Sequence, residues 1–272
     1  MKPEAVSTAR FQRTFATMQR RNERAVRACI KRPTPEAIHE ARITVRKLTT
    51  TFSLMPKEFR RDTKTVRTMK ALRLFYTACA RTRDVDSAMS ALSIYGDLSD
   101  LKGVIAGLKK HRSVLLARVL SSGDEVSRLA LPRPTDDTRR RLRKRLNRLL
   151  DERAGRASYL YWIAAGGKEK VTELHNLRKE CRHIMYLLDF VNEDAGIKAV
   201  KTDLEDAREK LGSIRDDDVL LDMLRSHEEN AAVAEVAAAV SAGRLTKYRK
   251  FFSSQTAQGK RPKLLESILS LT

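Results

Sequence analysis

Aromatic side chains make up only 6% of the 272 residues, with a single tryptophan. That scarcity favours a core of Leu, Ala, Val and Met, as between packed helices. Cysteine is scarce too: Cys29, Cys79 and Cys181 are odd in number and far apart. They form neither a disulfide framework nor a Cys-x-x-Cys metal clip, and a reducing cytoplasm is the expected home. No apolar run approaches the roughly 18 residues of a membrane span. The start of the chain, Met1-Lys2-Pro3-Glu4-Ala5-Val6-Ser7-Thr8, lacks the apolar stretch of a signal peptide. A soluble protein without a membrane partner is therefore expected. No segment alternates apolar and polar residues long enough to demand a sheet. Nucleophile elbows, P-loops and metalloprotease patterns are also missing, which points to binding without catalysis.

Negative charge is the last shortage, and it defines what is present. Lys and Arg number 55 against 34 Asp and Glu, a formal net charge of +21. Self-repulsion of that size implies a polyanionic partner. The cations are arranged rather than scattered. In His39-Glu40-Ala41-Arg42-Ile43-Thr44-Val45-Arg46-Lys47-Leu48, a helical pitch of about 100° per residue puts His39, Arg42 and Arg46 within about 60° of one line. Ala41, Val45, Leu48 and Phe52 fall on the opposite side. The arrangement returns with His175, Arg178 and Arg182, backed by Leu177, Cys181, Ile184 and Leu188. Lys47, Lys179 and His183 lie close by in sequence and are further candidate phosphate contacts.

Further rows follow along the chain. A first helix, about residues 3–30, aligns Arg13, Arg20, Arg24 and Arg27. Thr34-Pro35 reads as the N-cap and first-turn proline of the His39 helix, which should stop before Pro56. A third helix, about 57–82, carries Lys57, Arg60, Lys64 and Arg67 on one face. Arg83-Asp84-Val85-Asp86 reads as the opening of a short fourth helix, and a fifth, about 98–121, shows Lys109 and Arg112. Ser121-Ser122-Gly123 through Pro134 is the expected linker. A capped basic helix then aligns Arg141, Arg145 and Arg148 before Gly166-Gly167. The His175 helix follows, about 168–191. The next, about 194–211, should end at Gly212 as a C-cap. Arg215-Asp216-Asp217-Asp218 reads as another short helix opening, followed by an alanine-rich helix, about 230–252.

The spacing of the two His-Arg-Arg rows is 136 (175 − 39), half of the chain length. That of the two Arg-Asp turns is 132 (215 − 83). These offsets mark an internal duplication: an all-α protein of two similar helical halves. One covers about 1–131 and the other about 135–255, followed by a C-terminal tail. Parallel rows of cations can track a phosphate chain, Arg through its bidentate fork and Lys as a point charge. Each signature histidine precedes an Arg by three positions on the cationic face, which suits a phosphate-facing donor. Metal binding is disfavoured, because His-x-x-x-His spacing is missing and the neighbouring arginines repel cations. Asp84, Asp86, Asp216 and Asp218 are explained as helix caps rather than as an acid–base or Mg²⁺ pair. A nucleic-acid backbone is the rival ligand, though aromatic interleaving is sparse and no helix-turn-helix or RNA-binding signature is present.

At these residues the sequence resembles the CHAD family, the conserved histidine α-helical domain. Its first signature is matched by His39, Arg42, Ile43, Arg46, Lys47 and Leu48. Its second is matched by His175, Leu177, Arg178, Arg182, His183, Tyr186 and Asp189. The family's Leu-Gly-x-x-x-Asp-x-Asp-Val turn is matched by Leu211, Gly212, Asp216, Asp218 and Val219. Thr49 and Met185 stand where family members often carry a further Arg. The resemblance spans nearly the whole chain. It implies one compact all-α body of two pseudo-symmetric helical bundles with a basic central channel or cavity that binds inorganic polyphosphate. It also implies association with polyphosphate granules and with polyphosphate-metabolising enzymes. An older idea for the family, metal chelation or phospho-acceptance by the histidines, is the alternative. No cofactor is implied.

Overall fold

A computed structural model describes residues 8–95, 101–132, 142–225, 230–255 and 261–271, and helices account for the regular structure among them. The chain divides into two units. The N-terminal unit, Ser7–Leu142, holds α1 (Thr8–Lys31), α2 (Pro35–Ser53), α3 (Lys57–Arg61), α4 (Thr63–Leu92) and α5 (Lys102–Ser127). The C-terminal unit, built mainly of Arg143–Thr272, holds α6 (Leu142–Ala165), α7 (Val171–Leu188), α8 (Ala195–Leu224), α9 (Ala231–Ser253) and α10 (Lys263–Leu269). Among the described residues no helix is long and apolar enough to cross a membrane.

In the N-terminal unit α1 packs on α2 and α5, and α4 packs on α2 and α5. The α2 helix starts where the sequence says it should. Thr34 accepts the Ala37 amide at 3.2 Å, and Pro35 occupies the first turn, where its missing N–H leaves no bond unmade. Ile38, Ala41, Val45, Leu48 and Phe52 are buried against the neighbours. Burying each of the larger ones contributes about 1.5–3 kcal/mol. Phe15 meets the Phe52 ring edge-on at a centroid distance of 5.9 Å, which ties α1 to α2. In the C-terminal unit α8 packs on α7 and α9, with α10 laid against α8. Tyr161, Tyr248, Phe251 and Phe252 join α6 to α9, and the Tyr248 hydroxyl donates to Ala164 O at 2.9 Å.

Several expected boundaries are corrected. The stretch 57–82 is two helices: Asp62 ends α3 and caps α4 by accepting the Thr65 amide at 3.0 Å. Lys57 and Arg60 therefore do not share a helix with Lys64 and Arg67. Neither Arg-Asp turn opens a helix, since α4 runs unbroken through Asp86 and α8 through Asp218. Gly212 is not a C-cap but a buried position inside α8. Gly123 does not belong to a linker. It lies inside α5, where a Cβ would stand 3.0 Å from Ile30 Cγ1 and 3.1 Å from Phe75 Cε2. Close packing of α5 on α1 and α4 is what calls for glycine there. The helix cap expected at Thr135-Asp136-Asp137, and Arg133 and Pro134 of the expected linker, lie outside the described residues.

Candidate functional site

Each unit builds its cation cluster on the second of its long helices. In α2 the apolar stripe is anchored in the core, which turns His39, Arg42 and Arg46 to the other side. They are not fully solvated: His39 and Arg42 are half-buried and Arg46 is 7% exposed. In α7, His175 and Arg178 are half-buried and Arg182 is 5% exposed. A solvated charged face would leave all of them open to water.

The neighbouring helix completes each cluster. Burial, then the positive charge of Arg42, Arg83 and Arg46, pushes the His39 imidazole below its ordinary value. Burial, then Lys179, Arg215, Arg178 and Arg182, takes His175 from its ordinary 6.5 down to about 3. Both imidazoles are therefore neutral at neutral pH. Their Nδ1 atoms are buried with no hydrogen-bond partner among the described residues. Arg83 of α4 and Arg215 of α8 thus belong to the clusters, and sequence reasoning passed over them. Their signal was their own spacing of 132.

Two further contacts shape the clusters. The Arg178 guanidinium packs on Gly212, where a Cβ would come within 3.3 Å of Nε and Nη2. Glycine at this point lets α8 make room for the guanidinium. In the N-terminal unit Arg42 acts electrostatically on the buried Cys79 thiol, and all three cysteines are free and buried.

Asp86, Asp217 and Asp218 of the turns are internal struts. Arg112 Nε donates to Asp86 Oδ1, and Arg244 Nε donates to Asp218 Oδ1. The partners are 26 positions apart in both units. Arg244 also donates to Lys168 O at 3.0 Å. Lys247 Nζ donates to both oxygens of Asp217, at 2.8 and 2.7 Å. For Asp86 and Asp218 the explanation as helix caps is replaced by inter-helix ion pairs, and Arg112 holds α5 to α4. Asp84 and Asp216 also lie inside their helices rather than at a cap.

The remaining candidates sit as follows. Arg13, Arg20, Arg24 and Arg27 are exposed along α1, as are Arg60 on α3, Lys64 and Arg67 on α4, and Lys109 on α5. Lys47 is half-buried one position beyond Arg46, and Arg145 is half-buried on α6. Arg148 is exposed and lies 3.5 Å from Glu152. Lys179 Nζ donates to Asn176 Oδ1 at 3.4 Å. His183 Nδ1 stands 3.9 Å from the carboxylate of Glu180. Arg141 lies outside the described residues. Among the described residues no group of three His, Cys, Asp or Glu side chains could hold a metal ion. What each cluster offers chemically is a neutral imidazole beside at least three guanidiniums, a setting that favours an anion with several acceptor oxygens.

A family model described as CHAD domain matches residues 9–225. A solved structure titled "Crystal structure of the CHAD domain from the plant Ricinus communis" is similar over 100% of this chain and 94% of that one. Its TM-score is 0.58 at 16% sequence identity, a likeness of fold. No curated protein matches the sequence.

Proposed function

The chain belongs to the CHAD domain family, and from that premise we propose that it binds inorganic polyphosphate, without catalysis, through the His-Arg-Arg clusters of its two units. One observation carries the reading. The same constellation is built twice: a half-buried neutral histidine, two arginines on its helix and a third, Arg83 or Arg215, from the next. Positive charge gathered beside a half-buried ring in this way favours an anion. Guanidinium forks suit phosphate edges, and a phosphate chain is negatively charged along its whole length. A binding rather than catalytic role is supported by the aspartates, because Asp86 and Asp218 are engaged by arginines instead of standing ready for proton transfer or Mg²⁺. On the same reading the protein serves polyphosphate granules or the enzymes that make and degrade the polymer.

Exposed arginines along α1 would also attract nucleic-acid backbones, so the test is competition. Labelled long polyphosphate bound to the protein is challenged with unlabelled polyphosphate, duplex DNA and single-stranded RNA at matched salt. The proposal expects polyphosphate to displace the label at far lower phosphate concentration than either nucleic acid. Equal displacement by DNA or RNA would assign the clusters to nucleic acid instead.

A further inference from the structure

The two units carry the same row but differ on its flank. In the C-terminal unit, α7 places Glu180 toward α6, where it is 3% exposed. Arg153 Nη1 donates to both carboxylate oxygens, at 3.1 and 2.9 Å. Arg156 Nε stands 3.3 Å from Oε1, and His183 Nδ1 3.9 Å from Oε2. Burial works to raise the Glu180 carboxyl, but His183 and Arg153 outweigh it and hold it below its ordinary value. The carboxylate is ionised at neutral pH. The position 136 earlier (180 − 136 = 44) is Thr44. Its hydroxyl donates along its own helix to Ala41 O at 3.0 Å. Among the described residues the N-terminal unit therefore has no buried carboxylate at this place. Its ion pair between α1 and α2 is Arg21 Nη2 with Glu40 Oε1 at 3.4 Å, between side chains 63% and 48% exposed, where water screens the charge.

A carboxylate presents to a guanidinium the same forked, negatively charged edge as a phosphate. We propose that Glu180 is a built-in counter-ion that competes with phosphate for Arg153 and Arg156, leaving the N-terminal unit the stronger polyphosphate site. This rests on the polyphosphate reading of the clusters. The guanidiniums concerned are within reach of a ligand, since the Arg156 side chain is 59% exposed and that of Arg153 29%. What withholds them is the acid behind them. A buried carboxylate is otherwise an expensive choice at this position, and the first copy of the repeat does without it.

Anisotropy titrations with labelled long polyphosphate over a series of salt concentrations test this. Glu180→Gln keeps the size and removes the charge; Glu180→Thr copies the first unit. Both are expected to bind about tenfold tighter than the parent, as roughly one or two charge-assisted contacts are released to the ligand. The slope of log affinity against log salt should steepen by about 0.7 for each arginine recruited. Adding Arg156→Gln to Glu180→Gln should remove much of the gain. Folded Glu180 variants with parental or weaker affinity overturn the proposal while leaving the polyphosphate reading intact. A parent protein that binds no polyphosphate overturns both. If neither Glu180 variant folds, Arg42→Gln is compared with Arg178→Gln in the parent chain. The former should weaken binding several-fold more, and equal losses would overturn the proposal.

Discussion

An imidazole ringed by guanidiniums sits on the uncharged side of its titration, and that gives His175 two opposite pH signatures. Its value of about 3 in the folded chain lies below the ordinary 6.5. The unfolded chain therefore binds more protons between those two values. Stability contributed by the neutral ring is complete above 6.5 and is lost as pH falls toward 3. Thermal melts across that window should show the parent losing stability more steeply than His175→Gln; equal slopes would mean the ring is not held neutral. Binding responds the other way. A phosphate at the cluster favours the imidazolium, so the complex takes up protons and polyphosphate affinity should strengthen as pH falls below the value the bound histidine acquires. The double variant His39→Gln, His175→Gln should lose most of that dependence, and a full dependence in a folded double variant would remove the histidines from the site.

Helices of this protein are joined by charge as well as by apolar packing. Asp218 and Arg244, both buried to within a tenth of their surface, tie α8 to α9. Removing one partner strands the other, so Asp218→Ala should destabilise the chain by about 3 kcal/mol in urea unfolding. A loss under about 1 kcal/mol would show the bond to be incidental. Gly212→Ala separates fold from site in the opposite sense. Alanine favours the helix interior by about 0.5–1 kcal/mol over glycine, while its Cβ would crowd Arg178 at 3.3 Å. Unchanged or raised thermal stability with polyphosphate affinity several-fold weaker is expected. Unaltered binding would show that Arg178 needs no such seat.

The same elements show how far local sequence carries. The His39 helix was legible at both ends, because Thr34-Pro35 and the residues before Pro56 act through their own backbone. The doubled row was legible because helical phase is local. Arg-Asp-x-Asp resembles a helix opening only while its partner is ignored, and that partner lies 26 residues on, in another helix. Gly123 and Gly212 resemble punctuation for the same reason: each is set by a side chain distant in the chain, Ile30 and Phe75 for one and Arg178 for the other. Arg83 and Arg215 were hidden behind the acids that follow them.

For the molecule as a whole, a net charge of +21 is a standing repulsion that a bound polyanion would relieve, and on the proposed reading binding to the folded chain alone would stabilise it by mass action. The central claim is that the duplicated arginines are where that polyanion is held. Titration of long polyphosphate into the parent and into Arg42→Gln, Arg178→Gln over a series of salt concentrations tests it most directly. The double variant, folded by circular dichroism, should bind at least about tenfold more weakly for each arginine lost. Its salt slope should be flatter by about 0.7 per arginine. Parental affinity and slope in that folded variant would contradict the claim.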